Sequence, residues 1–178
     1  FKDGKLNIDD LLAKDEKEPK QDVAFDIAEV EVADSAFSFR DEQAGAQYAL
    51  TKVNVKTGRI ANNVPTKIDL SLAVQANQPS LNLTTALKTK LTFDLDKQVY
   101  LLDDITLEAK GEAAEIRNLV AKATGSVTAS PASNELTADK LAVTMTGTSG
   151  EDNLDVKLDA PKLQLTRDKA TGDKMTVV

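Results

Sequence analysis

The sequence predicts a mainly β protein: a long, twisted antiparallel meander sheet that curls into a half-open groove, with one short helix near the N-terminus. Three observations predict it. From Leu81 to Leu95 the odd positions read Leu81, Leu83, Thr85, Leu87, Thr89, Leu91, Phe93, Leu95, and the even ones Asn82, Thr84, Ala86, Lys88, Lys90, Thr92, Asp94. That is a period of two, so one face is apolar and the other wet. Similar alternation recurs along the chain between clusters of turn residues. Finally, a strand as long as Leu81–Leu95 would reach roughly 50 Å, more than a compact sandwich needs.

The elements follow in order. Gly4-Lys5-Leu6-Asn7-Ile8 starts as a strand and turns at Asp9, which caps a brief helix through Ala13; Lys14 to Gln21 is a charged linker. Residues 22–111 read as core hairpins. Val23, Phe25 and Ile27 lie at one parity and Val30 and Val32 at the other, which predicts a bulge near Ala28. Phe37 and Phe39 form the next strand, Asp41 to Gly45 turns, and Gln47 to Lys56 returns, ending at Thr57-Gly58. After a loop at Ala61–Pro65, alternation from Thr66 to Ala76 leads through Asn77-Gln78-Pro79-Ser80 into the long strand. Asp96-Lys97-Gln98 turns the chain, and Val99 to Gly111 comes back with Leu101, Ile105 and Leu107 inward.

Residues 112–178 read as further meander repeats. Glu112 to Lys122 fits a short helix about as well as a strand, and strand is the expectation. Beyond it come Val127, then Leu141, Val143 and Met145, then Leu154, Val156 and Leu158, then Leu163 and Leu165, with turns at Ser130–Asn134, Gly147–Asn153 and Asp168–Gly172. The chain also echoes itself. The stretches from Tyr48 to Val55, Tyr100 to Leu107, Leu136 to Val143 and Ala170 to Val177 share one pattern, each placed as the return strand of a hairpin. The expectation is one β-groove segment, 1–178, belonging to a longer chain.

Composition narrows the chemistry. With no Cys and no His, thiol nucleophiles, imidazole bases and almost every zinc site are removed, so we expect no enzyme and no cofactor. A net charge of −7 repels nucleic acid backbones and anionic lipid surfaces, and any lipid contact must be hydrophobic and local. Asp9-Asp10 and Asp103-Asp104 lack the spacing of a calcium loop, and neighbouring strand residues point to opposite faces, so they read as turn and cap residues. Gly58, Gly111 and Gly147 read as turn or strand-end residues, and Tyr48 and Tyr100 as shelters for sheet edges.

The stretch Gly4-Lys5-Leu6-Asn7-Ile8-Asp9-Asp10-Leu11-Leu12, the run Ala36-Phe37-Ser38-Phe39-Arg40-Asp41-Glu42-Gln43-Ala44-Gly45 with Tyr48 after it, and Leu91–Leu95 followed by Tyr100-Leu101-Leu102-Asp103-Asp104-Ile105 together resemble the AsmA-like family of bacterial envelope proteins. The likeness runs from Phe1 to about Gly111. It implies a periplasmic segment, attached to the inner membrane through a part missing from this chain, of a long β-groove that carries phospholipid between the inner and outer membranes and so affects outer-membrane assembly.

A sheet apolar on one side must cover that side with another layer, another chain or a ligand. The expected lining is Ile68, Leu70, Leu72, Val74, Leu81, Leu83, Leu87, Leu91, Phe93, Leu95, Ile105, Leu107, Val143, Met145, Leu154, Val156 and Leu158. Smooth aliphatic side chains suit phospholipid acyl chains, with the remainder of the longer chain and self-association through open strand edges as the other expected partners. The competing reading of the same residues is a closed, dry core in a β-scaffold whose edges pair with another protein.

Overall fold

A computed structural model describes residues 26–178. The predicted strand, helix and linker of 1–21, together with Val23 and Phe25, lie outside the described residues. The strands are β1 (Asp26–Ile27), β2 (Glu31–Asp41), β3 (Ala46–Thr57), β4 (Ile60–Ala61), β5 (Thr66–Asn77), β6 (Ser80–Asp94), β7 (Val99–Ala113), β8 (Ile116–Ser130), β9 (Glu135–Ser149), β10 (Asp152–Leu165), β11 (Ala170–Gly172) and β12 (Thr176–Val177). One 3-10 turn, Pro131–Ser133, joins β8 to β9.

The protein is mainly β. Ten strands form one antiparallel sheet in the order β11-β10-β9-β8-β7-β6-β5-β3-β2, with β12 also on β10, and the sheet does not close on itself. β1 and β4 pair separately, on the line of β2 and β3: the chain breaks step at Ala28–Val30, where Thr57 N–H donates to the Val30 carbonyl and Val30 N–H to Thr57 Oγ1. The bulge expected near Ala28 is instead a break between two strands, β1 and β2, that pair with different partners. Strands β6, β7, β8 and β9 each run 15 residues.

The internal echo has a structural meaning. Lys52, Asp104 and Lys140 occupy the same place in three of its copies, and each has a positive φ, of 51°, 50° and 52°. At each the register of the return strand slips by one residue, so an extra residue bulges out of the ladder. In the fourth copy Lys174 falls between β11 and β12, where the strand is interrupted. Pro161 stands across from Lys140, between the pairs Ala160–Leu141 and Lys162–Asp139. A proline is tolerated there because it has no N–H to give to a ladder already broken.

Several expectations are corrected by these bulges and turns. Val32 and Phe37 belong to one strand, β2, kinked at Asp34 with φ 45°. Glu112–Lys122 is strand, but interrupted: β7 ends at Ala113, Ala114 turns with φ 52°, and β8 begins at Ile116. Leu101 faces away from Ile105 and Leu107, since it pairs with Thr92 while Leu102 pairs with Leu91; the extra residue at Asp104 swaps the parity. The turn expected over Gly147–Asn153 shrinks to Gly150–Glu151, and Ala170–Gly172 is strand. Gly111 lies inside β7, not at a turn: a Cβ there would sit 2.0 Å from the Asn82 carbonyl oxygen, so the close approach of β6 demands glycine. Tyr48 and Tyr100 sit on the interior strands β3 and β7, not on edges.

Candidate functional site: an apolar face across the sheet

Residues paired across an antiparallel ladder share a face, so the register assigns faces strand by strand. Leu70 pairs with Leu87, Val74 with Leu83, and Leu87 in turn with Leu107. Leu107 pairs with Ala123, Ala123 with Val143, and Val143 with Leu158. On the other side Val74 meets Leu50 and Leu50 meets Phe37. One apolar face therefore runs unbroken from β2 to β10. Ile68, Leu70, Leu72, Val74, Leu81, Leu83, Leu87, Leu91, Phe93, Ile105, Leu107, Val143, Met145, Leu154, Val156 and Leu158 all lie on it. Leu95 does not: β6 ends at Asp94, and Leu95 is 46% exposed beyond it, its N–H donating to Asn62 Oδ1 at 2.9 Å.

The same face includes residues absent from the expected lining: Leu50, Val53 and Val55 of β3, Leu102 of β7, Leu119 and Val127 of β8, and Leu136 and Leu141 of β9. Most lie beside bulges, where a strict alternation changes parity. A signal was present in the sequence for three of the slips, at Lys52, Asp104 and Lys140, where the repeated motif places its fifth residue.

Most of this face is only half-buried, and strands contact chiefly the strands they hydrogen-bond to. Full burial is scattered: Val53, Phe93 and Leu119 are buried, and so are Ala138 and Ala160. Asp104, Gly125, Lys140 and Pro161 fall on one line across β7–β10, and the apolar face along that line carries Gly125, Ala138 and Ala160. Ala160 is 1% exposed and Ala138 3%, the most buried apolar side chains of the described residues. Small residues so deeply buried beside a line of bulges mark the most crowded stretch of the face.

Of the three threonines among the leucines of β5 and β6, Thr85 is half-buried and two are buried. Thr89 replaces a leucine where β7 carries its extra residue, and its hydroxyl donates to the Asp103 carbonyl at 2.8 Å, an acceptor the bulge takes out of the ladder. Thr66, also buried, pairs with Leu91, and its hydroxyl has no partner.

The opposite face is charged and ordered. Directly opposed residues are Glu31 and Lys56, Lys56 and Asp69, Asp69 and Lys88, Lys90 and Asp103, Glu108 and Lys122, Asp139 and Lys162. Asp103 and Asp104 serve different partners: Ser126 Oγ donates to Asp103 Oδ1, and Lys90 Nζ lies 2.5 Å from Asp104 Oδ2. The Ser126 hydroxyl, then the Asp104 backbone N–H, hold the Asp103 carboxyl below the usual range, while the Asp104 carboxylate raises Lys90. Among the described residues no group of three or more acidic side chains converges as a metal site would need.

Comparison with protein-family models, with curated proteins and with solved structures finds no match to this chain.

Proposed function

We propose that the chain is a non-enzymatic segment of a periplasmic β-groove that holds phospholipid acyl chains on its apolar face. In this reading it contributes to lipid transport between inner and outer membranes and to outer-membrane assembly, as in the AsmA-like proteins it resembles, and is attached to the inner membrane through a part outside this chain. The observation that carries the reading is the single apolar face from β2 to β10, half-buried in a sheet that is not closed. The crowded line through Gly125, Ala138 and Ala160 supports a sheet curled toward that face into a half-open groove. Burying about a dozen methylenes at ~0.8 kcal/mol each would contribute roughly 10 kcal/mol before ordering costs.

The test is native mass spectrometry of protein purified without detergent, with an organic extract of the same sample analysed for phospholipid. Co-purifying phospholipid, lost on Leu83→Asp, is the expected result. A lipid-free protein would favour the second reading, an interaction scaffold. That reading is favoured by one observation: among the described residues no strand pairs with the outer side of β2, nor with β10 over residues 152–156.

A further inference from the structure

Every directly opposed pair of charges named above on the wet face joins opposite signs. One pair breaks the pattern: Lys67 of β5 stands directly across from Lys90 of β6. Side chains so placed have Cβ atoms about 4.5–5.5 Å apart, and like charges there are destabilising. The pair lies in a depression of about 500 Å³ whose lining includes Lys56, Lys67, Lys88 and Lys90, with Asp69 and Asp104, and Gly58, which contributes no side chain. Lys88 is held by Asp69 at 2.9 Å, Lys90 by Asp104, and Lys56 by Glu29 at 3.4 Å. Lys67 has no carboxylate partner among the described residues. In a chain of net charge −7, this depression gathers four lysines, three of them each held by one carboxylate, and Lys67 leaves one ammonium in excess.

We infer that this depression is an anion site, in which a phosphate group lies between Lys67 and Lys90 and is gripped from the sides by the other lysines. A phosphate offers several acceptor oxygens to ammonium donors and converts the like-charge pair from a cost into a contact. The lysine stems give the site apolar walls, so the group can belong to free phosphate or to an amphiphile's headgroup. The site lies on the opposite face from the acyl-chain path and stands or falls separately from it.

The test titrates the isotope-labelled full chain, followed by backbone amide NMR, with inorganic phosphate in one arm and a short-chain phosphatidic acid below its micelle concentration in the other. Saturable shifts at Gly58, Ile68 and Thr89 are expected, weakened at least tenfold by Lys67→Gln and unchanged by Lys157→Gln. Equal binding in both arms identifies phosphate itself as the ligand; binding only of the phospholipid, still lost in Lys67→Gln, identifies a headgroup. Without phosphate Lys67→Gln should raise Tm by relieving repulsion, and phosphate should narrow the gap by stabilising only the original protein. The proposal is overturned if neither ligand moves these amides, if Lys67→Gln leaves the shifts intact, or if that variant lowers Tm in phosphate-free buffer.

Discussion

The hydroxyl of Thr89 donates to the Asp103 carbonyl at 2.8 Å, at the place where two residues of β7 face one of β6. A polar residue among leucines thus has a structural task, to satisfy a backbone acceptor that the bulge releases. Thr89 is 5% exposed, so the acceptor has little access to water. Thr89→Val keeps the shape and removes the donor. We expect it to cost about 1–3 kcal/mol, read as a lower urea midpoint at unchanged slope. An unchanged midpoint would mean that water satisfies the carbonyl.

The repeated left-handed residue makes a second prediction. At Lys140, with φ 52°, a side chain costs roughly 1–2 kcal/mol of strain, which glycine escapes at an entropic cost of about 0.5–1 kcal/mol. Lys140→Gly should therefore be neutral or slightly stabilising, and Lys140→Val clearly destabilising because a β-branched residue resists that conformation. Thermal melts of both variants check the order; equal stability would deny that the bulge sets the backbone here.

Crowding at Ala160 makes a third. Ala160 has no room for added methylenes, so Ala160→Leu should overpack it and cost about 1–3 kcal/mol, whereas Lys162→Leu, on the opposite face, should cost far less. Chemical denaturation compares them, and a harmless Ala160→Leu would show that the site is not crowded.

The acid limb of stability gives a fourth. Because Asp103 is held below its ordinary value in the folded protein, the stability it adds is fully present above the unfolded carboxyl pKa of about 3.9 and is lost as pH falls through the lower folded value. Removing the Ser126 hydroxyl with Ser126→Ala should move the Asp103 titration upward and shift acid unfolding to higher pH. Carbon NMR of the carboxyl follows the first, circular dichroism the second. An unmoved titration would remove Ser126 as the cause.

Much of the fold was legible because alternation is a local signal. The β5–β6 hairpin, paired from Thr66–Leu91 to Asn77–Ser80 without a slip, follows directly from its leucines and the Gln78-Pro79 turn. What was not legible lies at the slips. Leu101 and Leu102 look equivalent in sequence, and only the extra residue at Asp104 decides which faces the leucines of β6. Leu95 continues the alternation but has no strand beneath it, since the Asp96–Gln98 turn begins one residue early. Ala138 and Ala160 gave no sequence signal at all, because alanine burial depends on the larger side chains that the fold places around it.

The plain meander order has a consequence for how such a chain can change over time. From β5 onward the large strands bond to their neighbours in sequence, so a hairpin is an addition, not a keystone. Excising β8 and β9 would leave β7 and β10 antiparallel, with the same side of each strand facing the same way. Width is then a count of copied units: gene duplication within the chain can broaden the apolar surface, and loss can narrow it, without redesigning any strand that remains.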